Sequence, residues 1–193
     1  VLRNELIIDE GDAFNNILHA KSLNNLKSLN FFKSVNSEIS EGSSKNTKII
    51  NIRVEEKPTG EITAGVGVGT NGGAFGAGVK ENNFLGRGIK LDSKIELNEE
   101  SIRGKFSVIN PNWRGTKQTV SFNAQSLVRD RLKEFGYKTS TTGFSLGSRF
   151  EYYEDLHIAP SFSIYYESLK TSSTASANIK KQKGTYFDSD FDY

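Results

Sequence analysis

The stretch Ile89–Leu97, with the sequence IKLDSKIEL, indicates the fold class more clearly than any other part of the chain. Apolar and charged residues alternate along it: Ile89, Leu91, Ile95 and Leu97 against Lys90, Asp92, Lys94 and Glu96. Because successive side chains of a strand point to opposite faces, this period of two predicts a β-strand with one apolar and one polar face.

The same period of two continues from Gly60 to the end of the chain. Turn-forming residues separate the alternating runs, so we expect seven successive antiparallel strands and the beginning of an eighth. Their alternating residues run over Gly60–Gly69, Phe75–Val79, Ile89–Leu97, Ile102–Val108, Val120–Ala124, Phe144–Phe150, Leu156–Tyr166 and Thr185–Tyr193. The first pair is expected to be joined by a hairpin turn at Thr70–Gly73.

These strands favour a transmembrane barrel over a soluble β-rich domain, although the alternation alone leaves both open. Charged residues occur in mid-strand on the polar face, which suits a water-filled lumen. Strand lengths near ten residues match a tilted membrane crossing. Aromatic residues also lie near the strand ends, as at a membrane interface. The longest connection, Lys170–Gly184, is expected on the outer side, with the short turns on the periplasmic side.

The first sixty residues follow a different pattern, which predicts a small α+β unit. Apolar residues recur at helical spacing over Asp12–Asn30, and Asp12 is the expected N-cap. Two strands of a hairpin are expected around Val35–Ile39 and Ile50–Val54. Since a two-stranded sheet is marginal alone, we expect a further strand before Val1.

Composition excludes several classes of function. The chain has 193 residues, with 25 Lys+Arg and 23 Asp+Glu, and the net charge of +2 argues against a nucleic-acid binder. It has no cysteine and only two histidines, His19 and His157, which excludes disulfides and supplies a metal site poorly. No apolar run is long enough for a spanning helix. Because it starts with Val and lacks Met, we expect it to be a piece of a longer protein.

Several motifs resemble the BamA family of outer-membrane protein assembly factors, in which POTRA domains precede a barrel insertase. The matching residues are Arg3-x-Glu5, Glu10-Gly11-Asp12, Leu29-x-Phe31-Phe32-x-x-Val35, Val54-x-Glu56-x-x-Thr59-Gly60, Gly65-x-Gly67-x-Gly69, Glu81-Asn82-Asn83-Phe84-Leu85-Gly86-x-Gly88 and Asn110-Pro111. The resemblance extends along nearly the whole chain and thins after about Gly115.

The resemblance implies an α+β POTRA domain followed by antiparallel transmembrane β-barrel strands. Residues 1–57 would be the last POTRA domain without its first strand, and residues 58–193 the N-terminal half of the barrel. About seven and a half of an expected sixteen strands would be present. The protein would lie in the outer membrane of a Gram-negative bacterium, with the POTRA domain in the periplasm.

The implied function is the assembly and insertion of β-barrel proteins into the outer membrane, without enzymatic chemistry, cofactor or metal. The implied partners are unfolded outer-membrane protein clients, Bam lipoproteins on the POTRA side, and outer-membrane lipid and lipopolysaccharide, but no nucleic acid. Two alternatives stay open: a polypeptide-secretion or translocation-assembly transporter of the same superfamily, and a small complete eight-stranded adhesin or structural barrel.

The resemblance also assigns candidate site residues. A seam strand for pairing with clients would comprise Gly60, Ile62, Ala64, Gly65, Val66, Gly67, Val68 and Gly69. Arg3 and Glu10 would dock a lipoprotein partner. The family turn motif would comprise Asn83, Phe84, Leu85, Gly86 and Gly88. Independently of the resemblance, the properties of glycine leave two explanations for the glycines of this strand: they weaken its pairing, or they relieve crowding in a curved wall.

Three other motifs have weaker functional interpretations. Gly67-x-Gly69-x-x-Gly72 fits a dinucleotide-binding loop, but a strand is expected after it instead of a helix. Glu154-Asp155-x-His157 offers an acid–histidine pair at a short turn, where catalysis is disfavoured. Lys180–Lys183 is a basic run in the presumed outer loop, expected to be solvated or close to lipopolysaccharide phosphates.

Overall fold

A computed structural model describes residues 2–44, 46–69 and 72–193. The chain divides into two compact units, one ending at Thr59 and the other beginning at Gly60. The first unit contains a 3₁₀ helix at Leu2–Glu5, helix α1 at Asn16–Ser28, and the antiparallel strands β1 at Phe32–Glu41 and β2 at Lys48–Glu56.

Helix α1 begins later than the sequence pattern predicts. Its N-cap is Asn15, whose side chain accepts hydrogen bonds from the backbone N–H groups of Ile17 and Leu18 at 2.8 and 3.2 Å. The prediction of Asp12 as N-cap is therefore wrong. The Asp12 carboxylate instead accepts a hydrogen bond from the Asp9 N–H at 2.9 Å and closes the preceding turn.

The buried face of α1 also differs from the expected apolar stripe. Its buried residues are His19, Ser22 and Leu26, whereas Ile17 is 78% exposed. The two buried polar side chains have partners, as burial demands: His19 Nε2 lies 2.9 Å from Ser37 Oγ on β1, and Ser22 Oγ accepts from a backbone N–H at 2.9 Å.

The second unit is an open antiparallel sheet of nine strands. Eight follow each other in chain order, and the ninth, β9, is a short strand that pairs only with β8 in the described chain. The bounds are β3 Gly60–Gly69, β4 Gly72–Phe84, β5 Ile89–Asn98, β6 Ser101–Asn110, β7 Thr119–Arg131, β8 Tyr137–Tyr153, β9 Leu156–Ile158, β10 Ser161–Thr171 and β11 Gly184–Asp192, with a 3₁₀ turn at Trp113–Gly115 and helix α2 at Ala177–Lys181.

Two details of these strands depart from the expected pattern. The predicted strand Leu156–Tyr166 divides into β9 and β10, because Pro160 has no N–H to contribute to a ladder. The eighth strand, indicated only as a beginning, pairs with β10 over nine residues.

The cross-strand register separates the residues into an apolar and a polar face. On the apolar face, Phe106, Phe122 and Phe144 come from three neighbouring strands, and consecutive rings have centroids 6.4 Å apart. The polar face carries an ion network, in which Glu96 lies 2.6 Å from Lys94 and 3.6 Å from Arg103. Alternation therefore gives the sheet the two chemically different faces that the sequence predicts.

Candidate functional site

The candidate site is β3, the first strand of the large sheet and one of its two edges. Its bounds coincide with the predicted seam strand, and it pairs with β4 along all ten residues, from Gly60 opposite Glu81 to Gly69 opposite Gly72. All ten residues are exposed, including Val66 at 86% and Val68 at 93%. In the described part of the chain, the other edge of β3 has no strand beside it.

Towards the hairpin end, one face of the β3–β4 pair carries almost no side chains. Gly65 lies opposite Gly76, and Gly67 lies opposite Ala74. Within the described residues, nothing lies within 4 Å of a Cβ placed on Gly65, Gly67 or Gly69. No neighbour among the described residues therefore crowds these three glycines, and their weakening of strand pairing stays a prediction.

Gly60 is the exception among the glycines of β3. A Cβ there would lie 2.8 Å from Oε2 of Glu81, the residue directly opposite. Its absence of a side chain therefore relieves a close approach to the end of a flexible carboxylate. The surroundings of Gly60 thus differ from those of Gly65, Gly67 and Gly69.

The G-x-G-x-x-G interpretation fails on the same geometry. Gly69 and Gly72 are opposite partners at the end of a hairpin, and β4 follows where a helix would be required. Thr70 and Asn71, at the centre of the predicted hairpin turn, lie outside the described residues.

The family turn motif forms a reverse turn between β4 and β5 that is closed by hydrogen bonds among its own residues. The Asn83 carbonyl accepts from the Gly86 N–H at 2.9 Å, and its side-chain oxygen accepts from the Gly88 N–H at 2.7 Å. Gly86 and Gly88 both have φ of 68°, a region that glycine adopts without strain. Leu85 lies at the tip and is 74% exposed, and Phe84 pairs with Ile89 beyond a bulge. The motif is therefore accounted for by turn geometry.

Arg3 and Glu10, the predicted docking residues, contact each other. Arg3 Nη2 lies 3.3 Å from Glu10 Oε1, and the two side chains are 84% and 91% exposed. An ion pair this exposed contributes little to stability, about 0–1 kcal/mol. The structure thus brings the two charges together on the surface, while the docking of a partner stays a prediction.

The acid–histidine motif shows no catalytic geometry. His157 lies opposite Glu151 in the β8–β9 pair, and Asp155, with φ of 61°, forms the turn between them. No carboxylate of the described residues hydrogen-bonds His157. The described chain also holds no cluster of three or more potential metal ligands, and none of its helices is long and apolar enough to span a membrane.

The connection between β10 and β11 contains an element that the sequence pattern missed. Helix α2 begins at the N-cap Ser176, and the Lys180 ammonium donates to the Ser173 carbonyl at 2.7 Å. The Ser172 N–H donates to the Gly136 carbonyl at 2.7 Å, and Ala175 is only 5% exposed. The basic run Lys180–Lys183 therefore belongs to a fixed loop. The capping serine before a short helical run was the available signal.

Comparison with known proteins places this geometry in a family. A sequence model of the Omp85 superfamily domain matches residues 83–193, more than half of the chain. The chain belongs to the Omp85 superfamily. This Omp85 segment begins in the turn motif and includes every strand from β5 to β11.

Two curated relatives are similar to most of this Omp85 chain. A putative outer membrane protein assembly factor from Treponema pallidum (strain Nichols) is 28% identical over 182 residues, which are 89% of this chain and 21% of that protein. Outer membrane protein assembly factor BamA from Neorickettsia risticii (strain Illinois) is 25% identical over 189 residues, 96% of this chain and 25% of that protein. The chain therefore spans about a fifth to a quarter of the length of these relatives.

A solved structure confirms the fold. The crystal structure of BamA from Haemophilus ducreyi lacking POTRA domains 1-3 matches with a TM-score of 0.76 and 22% identity, over 98% of this chain and 39% of that one. The expected fold class and the resemblance to the BamA family are thus confirmed, with a helix and two-stranded sheet followed by an antiparallel sheet that matches part of the BamA barrel.

Proposed function

We propose that this Omp85 chain is part of an outer-membrane protein assembly factor, which inserts β-barrel clients into the outer membrane of a Gram-negative bacterium by pairing a client strand with β3. The observation that carries the proposal is β3 itself, a ten-residue, glycine-rich strand at the edge of the sheet. The Omp85 family and the two related assembly factors support assembly as the activity.

The mechanism follows from the cost of unpaired backbone in lipid. Each unsatisfied N–H or C=O group costs several kcal/mol within the hydrocarbon layer, so an incoming client strand gains by pairing with an available edge. Pairing along ten residues gives the client a template of matching register. A template must also release its product. Glycines make no side-chain contacts, so they lower the free energy needed to separate the paired strands. The process requires no covalent chemistry and no cofactor.

The proposed orientation follows from the lengths of the connections. Transmembrane barrels have short periplasmic turns and longer outer loops. The connection holding α2, residues 172–183, would then lie at the cell surface, and the turn at Leu85–Gly88 would lie in the periplasm. The unit that ends at Thr59 would be the periplasmic POTRA domain.

Disulfide crosslinking in the full-length parent protein tests strand pairing. Val66→Cys places a thiol on β3, and Val108→Cys provides a matched control on the interior strand β6. We expect crosslinks between Val66→Cys and a cysteine in the last strand of a nascent porin, and none from Val108→Cys. Absence of crosslinks from every β3 position, in cells that assemble porins normally, contradicts the proposal.

The proposed lipoprotein contact of Arg3 and Glu10 needs a test that separates it from their mutual ion pair. Arg3→Glu and Glu10→Arg each place like charges together, and the double variant restores an inverted pair. If the residues dock a partner, co-purification of the lipoprotein falls in all three variants. Recovery of co-purification in the double variant shows that only the internal pair matters.

A further inference from the structure

The register of three interior strands aligns charged residues at one end of the apolar face. Asp130 on β7 lies directly opposite Lys138 on β8, which in turn lies directly opposite Lys170 on β10. We call Lys138 and Lys170, together with Asp130, the lysine row. Directly opposite residues share a face of the sheet. The row shares its face with Phe122 and Phe144, since Asp130 and Lys138 differ from them by an even number of positions along their strands and those ladders have no bulge.

The lysine row carries more positive than negative charge. Lys138 Nζ lies 2.8 Å from Asp130 Oδ2, so that pair is neutralised. Lys170 is exposed, and no carboxylate among the described residues forms an ion pair with it. Directly opposed like charges destabilise a strand pair. The uncompensated ammonium of Lys170 beside Lys138 therefore favours an anion at this place.

The position of the row along the strands indicates which anion it meets. On β10, the apolar face runs from Phe162 through Ile164 to Tyr166, which is 51% exposed, and then through Ser168 to Lys170. With a rise of about 3.3 Å per residue, Lys170 lies roughly 13 Å along the strand beyond Tyr166. An apolar belt, then an aromatic residue, then lysine is the order found from the hydrocarbon layer to the lipid headgroups.

Further cations lie in the connections at the same end of the strands. Lys133 is exposed in the β7–β8 connection, where Glu134 is its neighbour. Lys181 and Lys183 are exposed in the β10–β11 connection, at and after the end of α2. These lysines extend the positive potential around the row.

We propose that the lysine row binds the phosphate groups of anionic glycolipid in the outer leaflet. This inference rests on the proposed function, because the orientation proposed there places this end of the strands at the cell surface. The two ammonium groups hold a headgroup phosphate against the wall, while the apolar face below contacts the acyl chains. The insertase is thereby anchored through interior strands, away from the exchanging edge at β3.

Titration of bisphosphoryl lipid A into the full-length protein in phosphatidylcholine nanodiscs tests the row. The variant is Lys138→Gln with Lys170→Gln. The matched control is Lys94→Gln with Lys105→Gln, since these two lysines are also directly opposed but lie on the polar face. We expect about fivefold weaker binding per lysine of the row at low salt, hence roughly 25-fold for both, and an unchanged control. Lipid A without phosphates should not distinguish the variant from the parent.

Equal binding by the row variant and the parent, or equal losses in the row and control variants, overturns the proposal. A second measurement separates its failure from that of the proposed orientation: labelling of Lys133→Cys in intact cells by a membrane-impermeant maleimide, against the parent protein. Labelling without loss of lipid A binding overturns the row and leaves the proposed function standing. Absence of labelling overturns the orientation, and with it the outer-leaflet assignment.

Discussion

Replacing Gly65 and Gly67 of β3 with alanine should slow client insertion by strengthening the β3–β4 pair. Neither glycine has a left-handed φ, and nothing among the described residues lies within 4 Å of the added Cβ. Alanine therefore fits without strain, and its main effect is on the entropy of the unpaired strand. Glycine costs about 0.5–1 kcal/mol relative to alanine within a strand, so the double variant stabilises pairing by about 1–2 kcal/mol.

If β3 must separate from β4 during each insertion, stabilisation of this pair by that amount lowers the population in which the two strands are apart roughly 5- to 30-fold. The assay is the rate of porin folding into liposomes that contain the full-length protein. Amide hydrogen exchange of β3 in the same liposomes reports the strengthened pairing independently. The matched control is Gly104→Ala on the interior strand β6, where a Cβ also meets open space within the described residues.

Two results would contradict a special role of β3 in insertion. Equal slowing by Gly104→Ala shows that any stiffening of the wall slows insertion, so β3 has no special role. Increased protection of β3 amides with an unchanged folding rate shows that opening of this strand does not limit insertion. Slower porin folding that is confined to Gly65→Ala, Gly67→Ala and their combination supports the role of β3 as the seam strand.

Two further substitutions test the turns. Asn83→Ala should destabilise the full-length barrel by about 1–3 kcal/mol in urea titrations, because the half-buried turn loses the acceptor of the Gly88 N–H; an unchanged midpoint contradicts this. Gly136→Ala should expose the α2 connection to trypsin, because the added Cβ overlaps the backbone of Ala175, whereas Gly115→Ala has a similar positive φ but open space and should not; equal cleavage of both variants shows that only backbone strain matters.

The strands were predictable because their pattern depends on local alternation. The bounds of β3 follow from its period of two and from the break at Pro58, and the structure reproduces them. The start of α1 was not predictable in the same way, because Asp12 and Asn15 are both good N-cap residues three positions apart. The structure distinguishes them by their partners: the Asp12 carboxylate accepts from the Asp9 N–H in the preceding turn, whereas the Asn15 side chain accepts from the N–H groups of Ile17 and Leu18.

The alternation of residues in the sequence does not predict contacts that depend on the register between strands. Alternation places Lys94 and Glu96 on one face, but the proximity of Arg103 requires the pairing of β5 with β6. The opposition of Lys138 and Lys170 likewise requires the register of β8 with β10. A slip of one residue would move each partner to the other face of the sheet.

Packing changes across the sheet in a way that suits an exchanging edge. At β3 and β4, Gly65 lies opposite Gly76 with open space around it, so separation of the two strands loses few side-chain contacts. At β6, β7 and β8, the rings of Phe106, Phe122 and Phe144 contact one another across the strands, and such aromatic pairs contribute about 0.5–1.5 kcal/mol each beyond their buried area. Separation of strands therefore loses more side-chain contacts at β6, β7 and β8 than at the β3–β4 pair. In the proposed mechanism, β3 can therefore move to accept a client strand while the strands behind it stay packed.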